Sequence, residues 1–266
     1  MHRSKLVFVV SAAVVALAFG GAACGKDKKS RKKTEPTTDS PPVTDTPPAG
    51  GTGTVSGKVD FTGTAPKMPA LGRDADPFCA KTAMNAETVL VNANNTLANV
   101  LVRIKPGSVK GAAPTAPVSV GQDNCMYRPR VQGAMANQQI KIHNGDPTTH
   151  NVHAFDMRAG EGEESLYNLA QPKGAADIDK DANGYEVVKF KCDVHPWMLG
   201  YVVVSDHPFF AVTGDTGEFK LEGVPAGKHT IEAWHEHYGM KTADVNVAKD
   251  GTAEVKFTYD AGEKPI

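Results

Sequence analysis

Residues 187–204 read VVKFKCDVHPWMLGYVVV. Side chains alternate across an extended chain, so Val188, Phe190 and Cys192 share one face of a strand while Lys189 and Lys191 take the other. The strand delivers Cys192 inward, a tight turn brings His195 and Met198 back toward it, and Gly200–Val204 leaves as a further strand. Upstream, Ile140 and Ile142 face inward on a strand ending at Asn144. The loop 145–149 then leads into His150-Asn151-Val152-His153.

A Cys192 thiolate with the imidazoles of His150 and His195 makes a trigonal donor set. The weak thioether of Met198 completes the arrangement of a type 1 copper site. Soft sulfur donors select copper over magnesium, calcium or manganese. Zinc accepts a Cys and two His but gains little from a Met. A lone Cys-x2-His is a weak signal; the four donors in this order, on strand, turn and strand, are a strong one. The competing reading keeps these residues for packing. A buried Cys-His-His-Met cluster has no packing advantage over apolar side chains. The remaining histidines read otherwise. His153 lies three residues from His150 on an extended strand and faces away from a common centre. His143 alternates with Ile140 and Ile142 and is expected to be exposed. His235 and His237 share a strand face and could chelate a second ion, but a polar pair beside a turn is the favoured reading.

The segment resembles a known family. Cys192-x2-His195-x2-Met198, with Pro196 after the His, is similar to the short ligand loop of the cupredoxins, their amicyanin-like branch above all. His150-Asn-Val-His resembles the first-ligand segment of the same branch, and Tyr127-x-Pro129 and Asn144-x-Asp146 fit the family pattern over about 117–205. The resemblance implies a Greek-key β-sandwich with one type 1 copper on His150, Cys192, His195 and Met198. It also implies that Asn151 hydrogen-bonds near the Cys192 sulfur and ties the two ligand loops together. In such a loop His195 is the ligand nearest the surface. Pro196 and Trp197 are then expected to form part of an exposed apolar patch where a redox partner protein docks; the alternative is that Trp197 packs on the 156–184 segment or on the second sandwich and shields the metal. The long polar stretch 156–184 departs from the compact family pattern. Other copper sites do not fit. A dinuclear centre needs a second Cys where Val188 stands, and multicopper enzymes need a His-Cys-His that is absent. No Ser-His-Asp order, P-loop or paired-carboxylate motif stands out, so no enzyme is expected.

Outside this core the chain is rich in strand formers and turn residues, with Gly 26 and Pro 18 spread along it. Runs such as Leu101–Ile104 and Asp244–Val247 sit between turn signals, which predicts an all-β protein. Residues 214–240, GDTGEFKLEGVPAGKHTIEAWHEHYGM, resemble the transthyretin-like, carboxypeptidase-regulatory type of β-sandwich. Its usual opening strands have counterparts at Val55–Phe61 and Ala98–Ile104. The favoured organisation is therefore a second, transthyretin-like sandwich over 54–108 and 207–262 with the copper sandwich, 109–206, inserted. Two sandwiches in tandem is the alternative.

Residues 1–24 read as an export signal: Arg3 and Lys5, an apolar Leu6–Phe19, small residues, then Cys24. Cys24 resembles a bacterial lipoprotein processing site. The alternative is an uncleaved anchor, since Leu6–Ala23 could just span a bilayer. Residues 25–53 are a polar, low-complexity stretch expected to be a disordered linker. Both readings of the N-terminus place the remainder in the cell envelope, on the exported side, attached to a membrane. With +2 on residues 1–24 and +2 on 25–53, the overall −1 leaves −5 on 54–266. That balance argues against nucleic acid as a partner. In an oxidising compartment Cys79 and Cys125 are expected to pair; two free buried thiols are the alternative. The functional expectation is a one-electron carrier, against copper storage and delivery or a structural surface sandwich.

Overall fold

The computed structural model describes residues 50–111, 113–158, 162–184 and 186–266. The expected export signal, Cys24 and nearly all of the expected linker lie outside them. Sixteen strands and one short 3-10 turn, Cys79–Lys81, make up the described chain: β1 Thr52–Thr62, β2 Leu101–Ile104, β3 Val118–Asp123, β4 Met126–Arg128, β5 Val131–Met135, β6 Gln139–Asn144, β7 His150–Arg158, β8 Gly162–Gln171, β9 Ile178–Asp181, β10 Val187–Lys191, β11 Leu199–Ser205, β12 Phe210–Val212, β13 Glu218–Pro225, β14 Gly227–His235, β15 Gly239–Val247 and β16 Thr252–Asp260. The fold is all-β. β1 opens at Thr52, inside the stretch expected to be linker, because Thr52 already pairs with Pro225 of β13.

The strands form four sheets: β13-β1-β16, β12-β2-β14-β15, β5-β11-β10-β7-β8 and β4-β3-β6-β9. The chain leaves the first two sheets after β2, builds the other two from β3 to β11, and returns at β12. Three apolar cores separate the sheets. Val55, Val59, Phe219 and Phe257 meet Val102, Ile104 and Ile231 in the first. Val120, Tyr127, Ile140 and Ile142 meet Val152, Phe190, Cys192 and Val202 in the last. Between them, Leu101 and Trp234 from one sheet pack on Val131, Val187, Tyr201 and Val203 from the next. The sheets therefore stack in four layers. β2, Arg103 included, and nearly all of β11 are buried because both of their faces are covered. In β11, Val202 and Val204 face one core and Tyr201 and Val203 the other.

The polar stretch after β7 is not a loop over the site. β8 pairs with β7 and forms the edge of a five-stranded sheet, and β9 edges the opposite sheet through β6. β8 is exposed along nearly all its length and carries Glu163 and Glu164, the charged outer face of an edge strand. The alternation that marks a half-buried strand is missing there.

The middle core also holds charge. Arg130, just before β5, forms a two-pronged ion pair with Glu236 at the end of β14. Their side chains are 4% and 2% exposed. Next to Glu236, His235 is fully buried, correcting the expectation of a polar pair at a turn. Its ring stacks on Tyr238 at 5.2 Å. Nδ1 accepts the N–H groups of His237 and Tyr238, and burial holds its pKa down to about 3. It shares no potential metal cluster with His237 among the described residues. Removing one partner of a buried ion pair strands the other. Glu236→Ala is therefore expected to lower stability by about 3–5 kcal/mol, whereas replacing Arg130 and Glu236 together with apolar residues costs clearly less. Urea unfolding of the three proteins checks this; equal losses for the single and double variants contradict it.

Candidate metal centre

The site lies at one end of the last core, where β7 begins and β10 ends. β10 pairs with β7, Lys191 against His153, which brings Cys192 beside the start of β7. The turn after Cys192 closes with the Met198 N–H donating to the His195 carbonyl at 2.9 Å. Below it, the Tyr127 hydroxyl donates to the carbonyls of Asn151 and Lys191 at 2.9 and 3.1 Å and ties the two ligand strands together. Tyr127 lies over Gly200 of β11. A Cβ at Gly200 would come within 2.7 Å of the Tyr127 Cβ, so no larger residue fits there without a shift.

His150, Cys192 and His195 are 0%, 1% and 1% exposed, and their donor atoms lie within 4.8 Å of one another. The two Nδ1 atoms face each other at 2.8 Å, and the Cys192 Sγ is 3.7 Å from the His195 Nδ1. Each ring has a carboxylate at its far nitrogen, hydrogen-bonded to His150 and within ion-pair distance of His195. His150 Nε2 donates to Asp146 Oδ2 at 2.8 Å, and His195 Nε2 lies 3.4 Å from Asp76 Oδ2. Two further groupings of possible ligands, Asp76-Cys79-His195 and Cys125-Asp146-His150, each include a cysteine of the disulfide, whose sulfur has no thiolate to offer. Met198 is fully buried in the same core as Cys192.

Asn151 joins the two ligand segments. Its backbone N–H points at the Cys192 Sγ at 3.5 Å. Its side-chain oxygen accepts the N–H groups of Asp193 and Val194. Its amide nitrogen donates to Asn168 and Asp193. Asn144 and Asp146 brace the preceding loop. Asn144 donates to the Thr148 and Gln171 carbonyls, and Asp146 accepts the N–H groups of Asn124 and Cys125 at 2.7 Å each. His153 faces the other way, toward Asp193 and Ser165, and His143 is exposed.

Cys79 and Cys125 form a disulfide with Cα atoms 5.7 Å apart. It sits against the site: Cys79 Sγ is 3.6 Å from His195 Nε2. His195 is consequently buried, not the surface ligand that the loop suggested. Trp197 is also half-buried, its indole N–H donating to the Cys125 carbonyl at 3.0 Å and its ring 5.2 Å from that of His195. Of the expected patch Pro196 alone is exposed, with Val194, 56% exposed, beside it in the turn. The turn is too short to bury a Trp by itself; the cover comes from residues 76–79 and 125, far away in sequence. Asp76, absent from the sequence reading, is the residue it missed.

Burial by itself pushes the His150 imidazolium down, but Asp146 and the Cys192 sulfur outweigh it and raise its pKa from 6.5 to about 9. Burial raises the Cys192 thiol, and hydrogen bonds from His150 and the Asn151 N–H more than reverse this. Burial and the charge on His150 lower His195. The Thr148 hydroxyl, with smaller help from the Cys79 and Phe78 N–H groups, holds Asp76 down to about 2 despite its desolvation. One proton arrangement satisfies these contacts: protonated His150 donates from both nitrogens, and His195 accepts at Nδ1. In that arrangement one proton lies between the two Nδ1 atoms, in the place a cation would take.

No family model and no curated protein matches the chain. Solved structures do. A purple cupredoxin from Nitrosopumilus maritimus is 21% identical over 33% of this chain and 99% of its own, at a TM-score of 0.28. Amicyanin from Paracoccus versutus is 20% identical over 39% and 97%, at 0.29. A copper-containing nitrite reductase from Thermus scotoductus is 16% identical over 40% of this chain and 26% of its own, at 0.29. Likeness at these scores carries no argument about chemistry; the donor atoms do.

A raised imidazolium stabilises the fold fully below its ordinary pKa of 6.5 and loses that contribution as pH rises through about 9. The stability gap between metal-free wild type and Asp146→Asn is therefore expected to be widest near pH 6 and to shrink toward pH 10. Denaturant titrations across that range test it, and a gap that widens with pH contradicts it.

Proposed function

We propose that this chain is an exported type 1 copper protein that carries single electrons in the cell envelope and is not an enzyme. The observation that carries the reading is the pair of inward-facing Nδ1 atoms beside a buried thiol, each imidazole held from behind by a carboxylate. A histidine with its far nitrogen on a carboxylate has its other nitrogen fixed in place as a ligand. His150, His195 and Cys192 would hold the ion, with the Met198 thioether as the weak fourth donor. Bound copper supplies one-electron redox chemistry.

The chain's own groups prepare that site. Asp146 and Asp76 orient the rings, the Asn151 N–H supports the sulfur in its thiolate form, and His150 gives up its proton when a cation enters. Apolar walls from Tyr127, Phe190 and Val152 exclude water. Buried ligands held on both sides suit an electron carrier, which must change little between oxidation states. Storage or delivery calls for mobile donors instead. The partner is a redox protein. The Cys24 signal supports a lipid anchor.

Cu(II) added to the protein is expected to give an intense thiolate-to-copper absorption in the visible. Cys192→Ser is expected to abolish that band, and Met198→Gln to keep the copper with a changed potential. A band that survives Cys192→Ser sinks the assignment. For the anchor, Cys24→Ser is expected to move the protein from the membrane to the soluble fraction; a variant that stays with the membrane contradicts lipidation.

A further inference from the structure

A segment from outside the sandwich that bears the ligands reaches the site. The connection between β1 and β2 folds back on itself, with the Leu71 N–H donating to the Met84 carbonyl and the Ala86 N–H to the Pro69 carbonyl. Four ties fasten it to the sandwich that carries the ligands. Buried Arg73 donates to the Asn124 carbonyl at 2.6 Å. Arg128 grips Glu87 with two hydrogen bonds of 2.6 and 2.8 Å. The Thr148 hydroxyl donates to Asp76 Oδ2 at 2.6 Å. The disulfide joins Cys79 to Cys125.

Asp76 sits at the tip. Its Oδ1 accepts the N–H groups of Phe78 and Cys79 at 2.7 and 3.1 Å, so the carboxylate is fixed before it meets His195. Its Oδ2 then stands 3.4 Å from His195 Nε2, beside the Cys79 sulfur. His195 is buried although Asp193, Val194 and Pro196 in the same turn are exposed.

We propose that Asp76 is a positioning residue of the metal centre, holding His195 by Nε2 from a disulfide-latched cover, so that residues 69–87 govern both the orientation of this ligand and access to the metal. The proposal rests on the copper reading of the site. Asp76 and Asp146 play matching parts, but Asp146 belongs to the sandwich that carries the ligands and Asp76 arrives from the other. A carboxylate behind the ring leaves Nδ1 as the bare nitrogen. It also adds negative charge near the ion, which favours the more positive oxidation state. The disulfide keeps the tip from lifting.

The test uses the full chain with Asp76→Asn, Asp76→Ala, Asp76→Glu and the pair Cys79→Ser/Cys125→Ser. Cu(I)-loaded proteins are challenged with bathocuproine disulfonate, and potentials are measured by voltammetry. Asp76→Ala and the double variant are expected to lose Cu(I) about tenfold faster than wild type, the lower end of what loss of such a partner does. Asp76→Asn, which keeps the volume and the disulfide, is expected to raise the potential with the thiolate band retained, and Asp76→Glu to restore it. A cover that only packs would leave the potential of Asp76→Asn unchanged. In the metal-free protein, diethyl pyrocarbonate is expected to acylate His195 slowly in wild type and clearly faster in Asp76→Ala, read by mass spectrometry. Unchanged potential in Asp76→Asn together with unchanged copper loss in Asp76→Ala overturns the proposal. If wild type shows no Cys192-dependent band, the copper reading fails by itself. The acylation rates then decide the cover, and equal rates overturn it.

Discussion

Two imidazole nitrogens 2.8 Å apart inside an apolar sandwich are the constraint on which the rest of the site depends. An imidazole can turn over about its χ2 axis, and nothing in a hydrocarbon wall tells one ring nitrogen from the other. A partner at the far nitrogen does. Asp146 supplies it for His150 and Asp76 for His195. Each carboxylate must in turn be satisfied, because a buried charge without hydrogen bonds is costly. Asp146 takes two backbone N–H groups at 124 and 125, and Asp76 takes two at 78 and 79 plus the Thr148 hydroxyl. Both ends of the disulfide thus lie within these shells of hydrogen bonds. The bridge and the ligands form one connected structure.

The placement of Cys192 depends on register. A slip of one residue in β10 would turn Lys189 and Lys191 into the core and Phe190 out of it. Burial on both faces of the five-stranded sheet guards against this. The same sheet packs on the ligand side through Val188 and Phe190 and on the other sandwich through Val187, Tyr201 and Val203. The Tyr201–Trp234 contact, at 5.5 Å and edge to face, and the buried Arg130–Glu236 pair anchor the second interface. The outer sandwich therefore supports the site from beneath through packing, and from above through the loop that carries Asp76.

What could be read from the sequence follows the same physics. The ligand strand, the inward Ile140 and Ile142, and the loop-tying Asn151 were legible because alternation of period two and the spacing of donors are local properties. β8 was not legible, because an exposed edge strand has no apolar face to announce it. From the sequence His235 reads as a polar pair with His237, yet it is enclosed by Tyr238 and Tyr259, the second of them 24 residues away. Asp76 was missed for a related reason: it lies in a polar stretch 119 residues before His195. One signal pointed to it. Cys79 stands three residues on, and its expected pairing with Cys125 draws the whole segment to the loop ahead of His150. Carried one step further, that pairing implies a cover over the turn, and with it a half-buried Trp197.

The composition of the cluster bears on why it is there. Two imidazoles, a thiol and a carboxylate occupy a buried corner that valine, leucine and phenylalanine would fill at lower cost, since apolar replacements of buried ionic groups are often neutral or stabilising. The three donor side chains together expose almost nothing, and two ring nitrogens face each other at 2.8 Å. A fold selected for stability alone would not keep a buried imidazolium next to a thiol of lowered pKa. It would not enclose them under a disulfide and two carboxylates either. The arrangement becomes favourable once a cation of suitable softness replaces the proton: the thiol then belongs as a thiolate, both Nδ1 atoms gain a partner, and the carboxylates face rings that donate to them. The features that look like liabilities in the metal-free protein are those that a soft metal ion converts into ligands.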